Sequence, residues 1–296
     1  MRRPSEGALA HLALVGAAFF FGTTFLVVKD AVRHVEPVPF LAVRFLIGAA
    51  CAWAFAGRTR RRSGAEPGLA KAGFLCGVML LAGYVFQTVG LQYLSSSVSA
   101  FITYLLVLIV PLLSAAVQRR PPTPPTIAGI LIAAAGLYLL HGARLSVGKG
   151  ELLTLGCAFC FAVHIVLLAD FAPRHDALRL NAVQLTVVGV GCLLPGLFTG
   201  GYAFPASAWL AAAYTGVAAS AVAFGLMVWA QRHVGPSRTA LLLMLEPVFA
   251  AVAGAIAGEH LGVLGATGAL LILAGIFVAE RRRPEKRKAS YDPAHE

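Results

Sequence analysis

Ten stretches of this chain are each about as long as a bilayer is thick and carry almost no charge: residues 8–28, 38–57, 72–93, 98–117, 126–142, 151–170, 180–199, 207–230, 239–257 and 263–280. An α-helix rises about 1.5 Å per residue, so about 20 residues cross the roughly 30 Å of hydrocarbon in a membrane. Lipid offers no partner for backbone N–H and C=O groups, so a segment that crosses it has to satisfy them internally. The sequence therefore predicts an all-α, polytopic integral membrane protein with ten transmembrane helices. Composition agrees: 58% of the 296 residues are apolar and 12% are charged, against about 25% charged in a soluble domain.

The formal net charge of +11 would raise the question of nucleic acid in a soluble protein. Here the basic residues fall in short loops between apolar runs, where they meet anionic headgroups and fix orientation. No nucleic-acid partner is expected; membrane lipid is. Of 24 Lys and Arg residues, 19 lie at the two ends and in the loops after the second, fourth, sixth and eighth runs. The opposite loops carry Lys29, Arg33, Arg144 and Lys149, and Arg44 lies within a run. Both termini are thus predicted to be cytoplasmic, with the chain in the cell membrane. The first run is too long for a signal-peptide core and is read as a retained helix. Cys51, Cys76, Cys157, Cys160 and Cys192 all lie in apolar runs, and one helical turn accounts for the Cys157–Cys160 spacing, so reduced packing residues are expected.

Comparing the chain with itself brings out a repeat at an offset of 140 residues. Ala18-Phe19-Phe20-Phe21 faces Ala158-Phe159-Cys160-Phe161, Ala42-Val43-Arg44 faces Ala182-Val183-Gln184, and Ser99-Ala100 faces Thr239-Ala240. The offset is 139 for Gly129 and Gly136 against Gly268 and Gly275, and 136 for Pro111 against Pro247. Each unit holds five runs, an odd number, so the second enters the membrane from the opposite side. The expected organisation is two inverted five-helix repeats, 1–145 and 146–280, followed by a basic cytoplasmic tail, 281–296. Inverted repeats are a carrier architecture, because one packing arrangement can exchange with its mirror and open a midplane cavity to either side.

The two units, Ala42-Val43-Arg44-Phe45-Leu46, Leu245-Glu246-Pro247-Val248, the Gly258-Glu259-His260-Leu261 corner and the closing Gly268-Ala269-Leu270-Leu271-Ile272-Leu273-Ala274-Gly275 resemble the EamA family of the drug/metabolite transporter superfamily. The resemblance runs from about Leu9 to Glu280. It implies a ten-helix carrier, often an exporter of amino acids or other small metabolites, with a cavity lined by helices one, three and four and their counterparts six, eight and nine. One departure is that the first unit has Gln118-Arg119-Arg120 where such repeats often carry Glu after the fourth helix.

Ionisable groups inside spans cost on the order of 3 kcal/mol on insertion scales and face a cavity or a partner. Arg44 suits either a substrate carboxylate or a structural ion pair or carbonyl cap. Glu246 precedes Pro247, which cannot donate and leaves the Leu243 carbonyl without its helical partner. A carboxylate beside a broken helix suits a cation or proton; the alternative is a pair with Arg44 or a helix-end contact. Pro111 is expected to free the Val107 carbonyl in the same way, and interrupted helices in matching places of two halves point to a binding site. His164 is able to titrate near neutral pH, with a proton as coupling ion, or to hold a helix–helix hydrogen bond. The neutral cavity candidates are Thr23, Thr24, Tyr84, Gln87, Tyr104, Gln184 and Trp229, with Thr103 and Tyr214 in the same polar set. The run Phe19-Phe20-Phe21 is read as lipid-facing and packing.

No G-x-x-x-x-G-K-[ST] phosphate loop, H-E-x-x-H or Ser-His-Asp order is present, so neither ATP-driven transport, an enzyme, a metal nor a cofactor is expected. The expected function is secondary transport of a small molecule, with export of amino acids or metabolites foremost. An importer or lipid flippase on the same scaffold, and a membrane-embedded lipid-modifying enzyme, are the other readings. Oligomeric state has no signature in the chain.

Overall fold

The structure is a computed structural model and describes residues 6–58, 66–117, 124–140, 147–199 and 201–280. The expected tail 281–296, Gln118-Arg119-Arg120 and Arg144 lie outside the described residues. The described residues are helical, with no strand among them. In chain order the helices are α1 (Glu6–Ala31), α2 (Pro37–Arg58), α3 (Leu69–Gly90), α4 (Ser96–Thr103), α5 (Leu106–Val117), α6 (Pro124–Leu140), α7 (Lys149–Phe171), α8 (Ala177–Thr199), α9 (Ala206–Tyr214), α10 (Phe224–Gln231), α11 (Pro236–Leu243), α12 (Leu245–Ile256) and α13 (Gly262–Glu280). A π-helical stretch, Thr215–Ala223, joins α9 to α10.

Among the described residues, eight segments are long and apolar enough to cross a membrane. The remaining two expected spans, 126–142 and 263–280, fall on α6 and α13, whose apolar stretches are Ile127–Leu140 and Gly262–Gly275. These are shorter than the roughly 20 residues that an upright crossing takes.

Helix ends are written in local chemistry. The Ser95 hydroxyl accepts from Val98 N–H at 3.2 Å to start α4, and Asp176 Oδ1 accepts from the N–H groups of Leu178 and Arg179, both at 3.1 Å, to start α8. These caps satisfy N–H groups that the first helical turn leaves unpaired. At the end of α12, Gly258 takes φ +84°, and Glu259 N–H donates to the Gly254 carbonyl at 2.8 Å. Only glycine adopts that backbone without strain. The turn aims the Glu259 side chain back at the helix bundle.

Helix pairs in lipid gain little from hydrophobic burial against one another and rely on close packing. α2 lies along α8, α3 along α7 and α8, α1 along α12 and the π-helical stretch, and α6 along α13. A Cβ on Gly22 would sit 2.6 Å from the Glu246 carbonyl oxygen and 2.6 Å from Phe249 Cβ, so α1 reaches α12 backbone to backbone beside Glu246. The buried interior gathers Leu14, Phe21, Leu41, Phe45, Leu80, Leu168, Leu180 and Leu185 around the centre of the bundle.

Candidate functional site

Two of the spanning segments are interrupted at their middles. α4 ends at Thr103 and α5 begins at Leu106 after a tight turn at Tyr104 and Leu105; α11 ends at Leu243 and α12 begins at Leu245 after Met244. In the first turn the ladder shortens, with Leu105 N–H donating to Ile102 C=O, Val107 to Tyr104 and Leu108 to Leu105. Pro111 lies inside α5, so the interruption precedes the proline rather than sitting on it. The ring crowds the Val107 carbonyl one turn earlier, and the interruption lies a further turn back. Pro247 lies two residues into α12, next to its break.

Tyr104 and Glu246 join the two breaks. The Tyr104 hydroxyl donates to Glu246 Oε2 at 2.6 Å, both groups being buried. Among the described residues no other side chain donates to this carboxylate, and Arg44 forms no ion pair with it.

Around this bond lies a central cavity of about 50 Å³, lined from α1, α3, the α4–α5 and α11–α12 breaks, α7 and α10. Ligand pockets run to about 300–1,000 Å³, so in this conformation the cavity holds a few waters' worth of space. Of the residues singled out in the sequence, Thr24, Tyr84, Gln87, Thr103, Tyr104, His164 and Glu246 are on the lining. Gln87 Nε2 donates to Thr103 Oγ1 at 3.4 Å, and the Thr24 hydroxyl returns to the Phe21 carbonyl at 2.7 Å.

The others stand back from it. Arg44 is 2% exposed; its Nε donates to Ser220 Oγ in the π-helical stretch at 3.3 Å, and its guanidinium lies 4.8 Å from the Tyr84 ring centre and 5.1 Å from that of Phe45. Its Nη2 is buried without an acceptor. Gln184 sits behind His164, its Oε1 2.9 Å from His164 Nε2. Gln184 in turn donates to Asn181 Oδ1 at 3.0 Å, and Asn181 donates to the Ala221 carbonyl at 3.2 Å. Thr23 bonds the Phe20 carbonyl and the Tyr214 hydroxyl on an exposed side of α1. The Trp229 ring lies against that of His233, the centres 5.0 Å apart and the planes tilted by 52°.

The phenylalanines of the lining were not among the sequence candidates. Phe21, Phe25, Phe161 and Phe224 all face the cavity, whereas Phe19 is 46% exposed. Phe21 thus departs from the lipid-facing reading of its run. The signal that locates it is helical spacing, since Phe21, Thr24, Phe25 and Val28 are buried on one side of α1.

A second polar cluster closes the bundle at one end. Glu259 Oε1 accepts from Lys29 Nζ at 3.0 Å and from Ser96 N–H at 3.2 Å. Its Oε2 accepts from the Ser96 hydroxyl at 2.6 Å and the Ser97 hydroxyl at 3.3 Å. One carboxylate therefore ties the end of α1, the start of α4 and the α12–α13 corner together. At the opposite end, Glu66 Oε2 accepts from Asp176 N–H at 3.1 Å and lies 3.6 Å from His175 Nδ1, with Oε1 4.0 Å from Arg179.

Burial alone would favour the neutral acid at Glu259, but hydrogen bonds from Ser96 and Lys29, with the Lys29 charge, hold it at about 2 against an ordinary 4.5. A depressed carboxylate adds stability that is fully present above its unfolded value and is lost as pH falls through the folded one. The clasp is therefore expected to be insensitive to pH between about 5 and 8 and to weaken only on acidification towards 2. Glu259→Ala leaves half-buried Lys29 without its counter-charge and the Ser96 N–H without its acceptor, while the Ser95 cap of α4 stays. We expect a loss of about 1–3 kcal/mol, read as a lower unfolding temperature in detergent; an unchanged temperature would mean that the clasp carries no stability.

The family model for the EamA-like transporters matches the chain over residues 8–142 and again over 148–280. The chain belongs to the EamA-like transporter family. As an EamA-like protein with eight membrane-length helices, it is a multi-pass membrane transporter. It is similar to an uncharacterized transporter of Archaeoglobus fulgidus, 30% identical over 92% of this chain and 86% of that protein. It is also similar to the uncharacterized transporter YoaV of Bacillus subtilis, 23% identical over 90% of this chain and 95% of that one. A crystal structure of a protein 24% identical in sequence shares the fold, with a TM-score of 0.66 over 90% of this EamA-like chain and 96% of the other.

Proposed function

We propose that this EamA-like transporter is a secondary carrier that exports amino acids or other small metabolites by alternating access around the central cavity. In this reading it has ten spanning helices in two inverted units, 1–145 and 146–280, with both termini cytoplasmic in the cell membrane. The observation that carries it is the Tyr104–Glu246 bond, which links two interrupted helices at the wall of one cavity. Interrupted helices present unpaired backbone groups to a cavity, and ion and solute sites in carriers are built from them.

Several features support the two-unit reading. The interruptions at Tyr104 and Met244 are 140 residues apart, the same offset as the sequence repeat, so the break and not the proline is the matching feature. The helix pairs are also related by exchange of units: α3 on α7 has its counterpart in α1 on α10 and the π-helical stretch, while α2 on α8 and α6 on α13 are self-matching. Carboxylate clasps at both ends, Glu259 with Lys29 and Glu66 with Arg179, fit an occluded state that opens by releasing one end at a time.

The test is uptake and efflux in proteoliposomes with a panel of labelled amino acids, amines and metabolites, with and without a pH gradient. Flux of a compound that depends on the protein and on the gradient is expected. No flux of any compound in either direction would reject the carrier.

A further inference from the structure

The lining of the cavity is unbalanced in charge. It carries one carboxylate, Glu246, and no lysine or arginine. Arg44 is not on the lining: its guanidinium lies against the Tyr84 and Phe45 rings and its Nε donates to Ser220.

Phe21, Phe25, Tyr84, Tyr104, Phe161 and Phe224 make part of the wall aromatic. Phe21 and Phe224 meet edge to face at 4.8 Å, Tyr84 and Phe161 at 5.1 Å, and Tyr84 and Phe224 at 6.1 Å. The faces of aromatic rings are electron-rich. A carboxylate together with such faces attracts a compact cation, whereas an anion finds no lysine or arginine on the wall.

We propose that the cavity's solute is a small organic monocation, an ammonium head seated between Glu246 and the Phe21, Tyr84, Phe161 and Phe224 rings. This deepens the carrier reading and rests on it only for the statement that a solute enters the cavity. A zwitterion's carboxylate meets no lysine or arginine on the wall, and the one imidazole there, His164, already bonds Gln184 through Nε2, which disfavours an ordinary amino acid as cargo. The Tyr104 hydroxyl holds one carboxylate oxygen and leaves the other for the incoming charge.

Calorimetric titration of the purified full chain in detergent with choline, and with its uncharged carbon isostere dimethylbutanol, tests this. Choline should bind, while dimethylbutanol and glycine should be weaker by about tenfold or more, the factor that one partly desolvated charge contact supplies. Glu246→Gln should lose about tenfold or more of choline affinity, and Phe161→Leu, which keeps an apolar wall, about threefold or more. Glu246→Asp should retain part of it. Should Glu246→Gln fail to give a monodisperse protein, the choline and dimethylbutanol pair on the unaltered chain and Phe161→Leu still decide.

Equal binding of the isostere, tighter binding of glycine than of choline, or full choline affinity in Glu246→Gln would each overturn the proposal. Choline exchange in proteoliposomes separates the two claims. Binding without exchange contradicts the carrier and leaves the cation site. Exchange of a zwitterion without choline binding contradicts the cation site and leaves the carrier.

Discussion

Glu246→Gln is expected to reduce transport by about thirtyfold or more, the equivalent of the lower end of what removing one member of a buried charge contact costs. The substitution is close to isosteric, and the new amide oxygen still accepts from the Tyr104 hydroxyl, now 2.6 Å from Glu246 Oε2. The two interrupted helices therefore stay linked, and what is lost is the charge on the cavity wall. Tyr104→Phe makes the converse change, keeping the charge and removing the bond, and should cost flux less and thermal stability more. The measurement is initial-rate flux in proteoliposomes at several pH values, beside size-exclusion profiles of each protein. Wild-type flux and an unchanged pH profile in Glu246→Gln would take the carboxylate out of the mechanism.

Gly268→Val should be the most damaging substitution outside the cavity. A Cβ there would lie 2.5 Å from Leu140 N and 2.6 Å from the Gly136 carbonyl oxygen. Both are backbone atoms of α6, so no side chain is free to turn aside. The contact is mutual: a Cβ on Gly136 would meet the Gly268 carbonyl oxygen and Ile272 N, each at 2.7 Å, and one on Gly275 the Gly129 carbonyl oxygen at 2.6 Å. Along this seam α6 and α13 touch through their backbones, and any side chain pushes the two helices apart. Overpacking of this kind costs about 1–3 kcal/mol where side chains yield, and the upper part of that range or beyond is expected where they do not. Thermal unfolding in detergent reads it. Gly7→Ala is the matched control, since nothing lies within 4 Å of that position. Equal unfolding temperatures for Gly268→Val and Gly7→Ala would mean that α6 and α13 do not depend on close approach.

The polar part of the cavity wall was legible because a polar side chain in an apolar run stands out against its neighbours. Thr24, Tyr84, Gln87, Tyr104, His164 and Glu246 were all selected on that ground, and all line the cavity. The same rule selected Arg44, Gln184, Thr23 and Trp229, which lie away from the lining against Ser220, His164, Tyr214 and His233. A polar residue in a span has to find a partner, but the sequence does not say whether that partner is a cavity or another helix.

The aromatic wall was illegible for a different reason. In water the apolar face of a helix marks its inside, whereas in lipid both faces are apolar and the contrast vanishes. Phe19 and Phe21 look alike in the sequence, yet one is exposed and the other buried against Phe224. Pro111 lies about two turns past the interruption at Tyr104 and Leu105, and the sequence does not mark that place.

By itself the sequence determined that the chain is helical and membrane-embedded, because long uncharged runs have one stable way to satisfy their backbone in lipid. Its order of motifs also placed it with the EamA-like transporters, as the family match over residues 8–142 and 148–280 bears out. Only the tertiary structure decided which side chains meet. Tyr104 and Glu246 are 142 residues apart in the chain, and Lys29 and Glu259 are 230 apart. Such contacts depend on the rotation of each helix about its own axis, and that rotation is set by glycine seams and side-chain packing between helices rather than by the apolar runs themselves.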